Sequence, residues 1–258
     1  MEWCGYTVTV ASNVTDIDDK IIARAEDEGR TEPDVAAEFT AAYDQQMERL
    51  GIIPAESRPH ATQFIDGMID IIHDLVERDA AYVVPGKGVY FAVEGLSDYG
   101  RLAGRSLSQL LDDAGQRVDV DTDKRSPLDF ALWKAAKPGE PSWQTPWGVG
   151  RPGWHTECVA MSLSALGPDF DIHGGGDDLC FPHHQNEWAQ VTATGQPFAR
   201  HWVHSAMVNV AGEKMSKSLG NFTNLAEAID SSGPRALRLL APVSYTHLRA
   251  HETDSYLV

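Results

Sequence analysis

The stretch from Arg125 to about Phe222 limits most tightly what this chain can form, because it is dense in tryptophan, histidine and glycine. Buried indole and imidazole nitrogens need hydrogen-bond partners, and each glycine gives up backbone entropy on ordering, so a plain core does not accumulate these types. Three segments concentrate them: Gly153-Trp-His-Thr-Glu-Cys-Val-Ala-Met161, Phe170-Asp-Ile-His-Gly-Gly-Gly176 and Asp178-Leu-Cys-Phe-Pro-His-His-Gln-Asn-Glu-Trp188. After Pro182 the run from Asn186 to Thr194 is helix-compatible, so His183 and Glu187, four apart, share one helix face and can clasp one ion. Cys158, on an apolar helical run, offers a thiolate, and Cys, His and Glu together suit Zn²⁺. Taken singly, Cys158 also reads as a small core residue and the His–Glu pair as a surface pair.

A second constellation follows the apolar, strand-like run Ala206–Val210. Gly212-Glu-Lys-Met-Ser-Lys-Ser-Leu-Gly-Asn221 sets two lysines three apart on a loop of small residues. Such a loop can close over a triphosphate, with Lys214 and Lys217 as point charges on the developing pyrophosphate and the Ser216 and Ser218 hydroxyls completing the cradle. The plain alternative is a solvated Lys-Ser loop.

The rest of the chain supplies scaffold. With 258 residues, 42% of them hydrophobic, it is long enough for one large domain or two small ones with a real core. Gly5–Val10 reads as a strand, and Asn13–Asp19 leads into a helix over Lys20–Glu26, with Thr15 or Asp16 suited to its N-cap. Glu32–Leu50 and Gln63–Asp79 repeat apolar residues at three and four positions (Phe39, Tyr43, Met47, Leu50; Phe64, Met68, Ile71, Ile72, Leu75) and are expected as amphipathic helices. Tyr82–Pro85 and Val89–Val93, joined by Gly86-Lys-Gly88, are expected as a hairpin, and Ser106–Asp113 as a short helix. The fold expected is α/β, a parallel nucleotide-binding sheet interrupted by a mostly helical insertion.

Charge and cysteines exclude several classes. A net charge of −17, from 38 acidic against 21 basic residues, opposes any general grip on phosphate backbones, so a nucleic-acid contact would have to be local. Three widely spaced cysteines (Cys4, Cys158, Cys180) argue against a disulfide scaffold. Neither a membrane span nor a secretory signal is readable, and the expected location is the cytoplasm.

The ends carry expectations of their own. The first strand begins almost at Met1 with nothing before it to pair with, so the start reads as cut. After the helical pattern Pro234–Leu240, residues 243–258 lack any amphipathic period and resemble translated adapter read-through, a non-native tail set aside from the fold.

The ten-residue lysine loop is similar to the KMSKS signature loop of class I aminoacyl-tRNA synthetases. Together with the Cys158 and His183–Glu187 segments, with Thr15–Asp19 as a strand-end motif, and with Lys124–Lys134 and Pro138–Trp143 as a re-entry into the catalytic domain, the chain resembles the cysteinyl-tRNA synthetases from Gly5 to about Leu240. The resemblance implies a Rossmann-like catalytic domain with this partition: 1–24, the end of the first half of the nucleotide-binding fold; 25–125, a connective insertion; 126–222, the second half with the zinc and lysine-loop motifs; 223–242, the start of a helical region.

It also implies the chemistry. Members of that family activate L-cysteine with ATP and Mg²⁺ to cysteinyl-AMP, transfer it to tRNA(Cys), and hold one zinc ion through two Cys, one His and one Glu, which binds the substrate thiolate. Carried over, Cys158, His183 and Glu187 are three of the four ligands. Trp154 lies beside the substrate side chain, Thr15 near its polar end, and His173 near the amino acid and adenylate, with Lys214 and Lys217 as catalytic groups. A turn-capping histidine is the plain alternative for His173. The family's fourth ligand and its His-Ile-Gly-His motif have no counterpart in this sequence, and Cys4 is not a convincing substitute. The expectation is therefore a fragment of a monomeric enzyme, itself nearly inactive. Competing readings are a mycothiol-pathway ligase joining cysteine to an amino sugar, and a non-catalytic paralogue acting as a zinc- and nucleotide-binding module.

Overall fold

The computed structural model describes residues 1–115, 123–207, 209–210, 213–215 and 222–240. Met1–Glu32 with Ala55–Met207 form one compact unit, and Pro33–Pro54 with the described residues after Met207 form a second.

The first unit opens with a 3-10 turn, Glu2–Cys4, followed by a segment that belongs to no helix. The strand expected over Gly5–Val10 does not join a sheet; instead, isolated parallel bridges pair Ala11 with Ser57 and Val14 with His60. The backbone is still served, since Ser12 N–H donates to Ser57 O (2.9 Å) and Val14 N–H to Pro59 O (2.8 Å). Helix α1 (Asp19–Glu28) follows, capped by Asp18, whose carboxylate accepts the Lys20 N–H at 2.8 Å. Thr15 and Asp16, expected at that cap, are not used there. Asp16 is committed elsewhere: it accepts the N–H (2.9 Å) and hydroxyl (2.6 Å) of Thr62 at the turn Ala61–Phe64. Gly29, in the left-handed region at φ 63°, ends α1.

Helix α2 (Glu32–Arg49) lies almost wholly in the second unit. Helix α3 (Ile65–Glu77) buries Met68, Ile72 and Leu75 of the face read from the sequence and adds Ile65, while Phe64, just before the helix, and Ile71 are only partly buried. Each such side chain contributes roughly 1.5–3 kcal/mol on full burial.

The hairpin β1 (Ala81–Val84) and β2 (Gly88–Phe91) forms as expected, with Val84 opposite Gly88. Gly88 cannot be replaced cheaply, because a Cβ would sit 2.0 Å from Trp133 O and φ is 137°. After α4 (Leu107–Gly115), strands β3 (Phe130–Ala135), β4 (Trp143–Thr145) and β5 (Gly148–Pro152) complete a five-stranded antiparallel sheet in the order β1-β2-β3-β5-β4. The larger sheet is thus antiparallel where a parallel one was expected. The turns of the β1–β2 and β4–β5 hairpins are too short for a crossover, and β3 pairs antiparallel with β2 across the longer connection that carries α4.

Helix α5 (Trp154–Leu166) is followed by β6 (Ile172–Gly176), a single turn α6 (Asp177–Leu179), helix α7 (Gln185–Ala193) and β7 (His201–Ser205). Here a helical crossover exists, and β6 and β7 pair in parallel from Ile172–His201 to Gly176–Ser205. Helix α5 packs against both α3 and α7. One core cluster gathers α3, the sheet and the inner face of α5, and a smaller one joins Val159, Phe170, Val191 and Phe198.

The second unit contains α2, the two-residue strands β8 (Asn209–Val210) and β9 (Glu213–Lys214) as an antiparallel pair, helix α8 (Leu225–Ser232) and helical residues 234–240. Arg49 pairs with Asp230, and Arg238 donates to Leu50 O and Gly51 O at 3.1 and 2.9 Å. Of the α2 residues expected on an apolar face, Phe39 and Tyr43 stay about half exposed, while Val35 and Ala36 are buried. No helix among the described residues is long and apolar enough to cross a membrane.

Candidate metal centre

The site is built on two helix starts. Gly153 precedes α5 because the chain passes so close to β3 that a Cβ would lie 2.0 Å from Ala131 O. That approach launches α5 with Trp154 and His155 in its first turn and Cys158 one turn on, and Thr156 to Met161 are all buried. The second piece begins at Pro182. Phe181 is extended (φ −138°, ψ 130°), His184 is already helical, and α7 continues from Gln185, so His183 and Glu187 fall one turn apart.

The donors of Cys158, His183 and Glu187 converge within 4.8 Å of one another, all three residues buried. His183 Nε2 lies 3.1 Å from Glu187 Oε1, and His173 Nε2, reaching in from β6, lies 3.2 Å from Oε2. These are close approaches rather than aligned hydrogen bonds, and neither oxygen of the fully buried Glu187 carboxyl has a hydrogen-bond partner. An unpaired buried carboxyl is costly, and a bound cation would resolve it. His173, His184 and Glu187 form a second convergent set that shares this carboxyl.

Electrostatics match a cation site in its ion-free form. Burial pushes the His183 imidazole down to about 2, helped by His155, His184 and His173, so its ring is neutral and free to coordinate. Burial lowers His184 to about 3, with His173 and His204 adding to it, and His155 to about 4, with Lys134 adding to it. Burial also raises the Cys158 thiol well above its ordinary range, reinforced by Glu187 and Glu157, and raises Glu187, opposed by His173. Thiol, imidazole and carboxyl are the donor types of Zn²⁺ sites, and the three residues fit such an ion, whose binding must displace the thiol proton.

The surroundings fix these groups. Trp154, 41% exposed, stacks on His183 with centroids 4.1 Å apart, and His155 Nδ1 meets His183 Nδ1 at 2.9 Å. His184 Nδ1 meets His204 Nε2 at 2.8 Å, and the Asn13 amide donates to Cys158 Sγ at 3.6 Å. Thr15 lies half-buried two residues after Asn13 on the segment that leads into α1.

Of the residues read from the sequence, Cys158, His183, Glu187, Trp154 and His173 are therefore brought together. Cys4 is exposed and belongs to neither convergent set. Lys214 is described only by its backbone in β9, and Ser216, Lys217 and Ser218 lie outside the described residues. Asn13, His155, His184 and His204 were missed as members; the density of histidine around Cys158 was the available signal.

Comparison with known proteins identifies the family. Residues 1–254 match the family model described as tRNA synthetases class I (C) catalytic domain. Proteins named cysteine--tRNA ligase are similar over nearly the whole chain: that of Thermodesulfovibrio yellowstonii is 48% identical over 99% of this chain and 54% of its own length, and that of Aquifex aeolicus 51% over 97% and 50%. The chain thus spans about half the length of the curated relatives it matches. A structure of Mycobacterium tuberculosis methionyl-tRNA synthetase in complex with methionyl-adenylate superposes with a TM-score of 0.68 at 14% identity, covering 93% of this chain and 57% of that one, which bears out the α/β, Rossmann-like class of fold. With the family model matched across both halves of the site and the cysteinyl resemblance repeated in these relatives, the chain belongs to the class I (C) tRNA synthetase catalytic domain family.

Proposed function

We propose that this chain carries the amino-acid-selecting half of a cysteine--tRNA ligase, which joins L-cysteine and ATP into cysteinyl-AMP with release of pyrophosphate and then transfers cysteine to the 3′ end of tRNA(Cys). The observation that carries the reading is the convergence of Cys158, His183 and Glu187 about a buried carboxyl with no hydrogen-bond partner.

In this reading these three residues hold one zinc ion. When bound, the ion supplies a soft Lewis acid that prefers a thiolate to a hydroxyl, a discrimination that an apolar pocket cannot make between cysteine and serine. The protein's own groups do the rest. The stacked Trp154 ring forms a wall beside the substrate side chain, and the His155–His183 contact holds the His183 ring in one orientation. Thr15 and His173 bind the amino-acid end and the adenylate, and Lys214, Ser216, Lys217 and Ser218 neutralise the triphosphate of Mg²⁺-ATP. The partition into a connective insertion at 25–125 and a second catalytic half at 126–222, a cytoplasmic location and a monomeric full-length state belong to the same proposal. For the 258 residues alone we expect adenylation to be nearly absent, since the sequence contains no His-x-Gly-His to meet the triphosphate from its other side.

The test is a titration of the chain loaded with cobalt(II) in place of zinc. A sulfur-to-cobalt charge-transfer band is expected, lost in Cys158→Ser, and expected to intensify with added L-cysteine but not with L-serine. An unchanged spectrum in Cys158→Ser, or equal responses to both amino acids, would refute the reading.

A further inference from the structure

Of the three residues between His183 and Glu187, two are amides, Gln185 and Asn186, and both are buried, at 0% and 2% exposure. Buried amides in a helix's first turn are costly unless something bonds them. Here both side-chain oxygens are served by one loop, residues 96–105. The Tyr99 hydroxyl donates to Asn186 Oδ1 at 2.5 Å, and the Leu102 N–H donates to Gln185 Oε1 at 3.0 Å. The Leu102 carbonyl in turn accepts the Cys180 thiol at 3.4 Å, so the loop bonds to the chain on both sides of His183.

The loop is itself stiffly held. Tyr99 is 2% exposed and meets the Phe181 ring edge-on at 6.4 Å. Arg105 N–H returns to Gly100 O at 3.0 Å, and Gly100 has φ 98° with room for no Cβ, which would lie 2.3 Å from Arg105 O. A neutral amide cannot bind the ion as Glu187 can, so the pattern is not a further ligand set. It is a brace against which the first turn of α7 is set.

We infer that the loop 96–105 is a positioning clamp for the metal centre: Tyr99 and the Leu102 N–H hold Asn186 and Gln185, and through them hold His183 and Glu187 at the spacing an ion requires. Tyr99 is a positioning residue and touches neither ion nor substrate. The inference rests on the metal reading above, and the experiment separates the two.

Zinc affinity is measured on the whole 258-residue chain by competition with a chromogenic chelator, alongside the cobalt(II) spectrum and thermal unfolding. Tyr99→Phe keeps the ring and removes the hydroxyl; affinity is expected to fall about 10-fold, the lower end for residues that orient metal ligands, with an altered cobalt(II) spectrum. Tyr82→Phe is the control for stability alone, since that buried hydroxyl donates to Asp129 at 2.7 Å and bonds none of the convergent donors, and its loss should leave affinity unchanged. Asn186→Leu removes the same bond from the helix side and serves if Tyr99→Phe does not fold. Wild-type affinity in Tyr99→Phe, or an equal loss in Tyr82→Phe, would overturn the clamp while leaving the metal centre standing, provided Cys158→Ala loses zinc. If Cys158→Ala binds zinc as the wild type does, the metal reading itself fails.

Discussion

Replacing Glu187 by glutamine should have opposite effects on the ion-free and the zinc-loaded chain. Without an ion, the carboxyl is fully buried, both oxygens lack partners, and burial raises its pKa. The sign follows from proton linkage. A group whose folded pKa is raised gives stability that is whole below the unfolded value, about 4.3 for a glutamate, and is lost as pH rises through the folded value, at about 1.4 kcal/mol per pH unit. At neutral pH the wild-type ion-free chain already bears this cost. Glutamine has the same shape and no charge, so ion-free Glu187→Gln is expected to be more stable by about 1–3 kcal/mol, the desolvation penalty of one unmatched buried group.

With zinc present the order reverses. Saturating the wild type at a hundred times its dissociation constant adds about 2.7 kcal/mol, and a variant that has lost its one charged oxygen ligand recovers little of that. Urea unfolding of both proteins, in chelator and in excess zinc, at pH 6 and pH 8, reads all four terms. Glu157, pushed up to about 9 by burial with Asp18 and Asp16 adding to it, gives both proteins a pH slope of the same sense in chelator, so the two are compared at each pH. A variant destabilised equally with and without zinc would refute the argument.

Acid should unfold the chain through its histidines. His183, His184 and His155 stay neutral in the fold down to about 2, 3 and 4, so as pH falls below about 6.5 the unfolded chain takes up protons that the fold does not, and this outweighs the opposite effect of Glu157 and Glu187 below about pH 5.5; a urea midpoint that does not fall between pH 5.5 and pH 4.5 would count against their burial. Gly153→Ala places a Cβ 2.0 Å from Ala131 O, and is expected to cost roughly 1–3 kcal/mol or more of stability, with cobalt(II) binding weakened because the start of α5 must shift.

Much of the local structure was legible because local chemistry decides it. Gly86-Lys-Gly88 between two β-rich runs can hardly be anything but a hairpin turn, and Met68, Ile72 and Leu75 mark a helix face through their spacing alone. Partner choice is a different matter. Alternation says that a run is a strand but not which strand it meets, so the pairing of β2 with β3, forty residues apart, was not readable, nor was the antiparallel character of the sheet they share. The Gly5–Val10 segment shows the same limit from the other side: its alternation reads as a strand, yet tertiary placement leaves it outside any sheet, and the two isolated bridges fall just after it, at Ala11 and Val14.

The candidate metal centre divides along the same line. Its three candidate donors were legible because only a few residue types can bind such an ion, and because two of them stand one helical turn apart. What holds the donors was not legible, since Tyr99, Gln185 and Asn186 are ordinary polar residues whose meaning comes from burial. On a surface each would hydrogen-bond to water and contribute almost nothing. Buried against one another, they turn the desolvation cost of two amides into a penalty on every arrangement of α7 except the one in which loop 96–105 meets it. A donor set chosen for its chemistry becomes a site only when such neighbours make other geometries more expensive. That selectivity depends on contacts between Tyr99 and Asn186, eighty-seven residues apart in the chain, which no local pattern records.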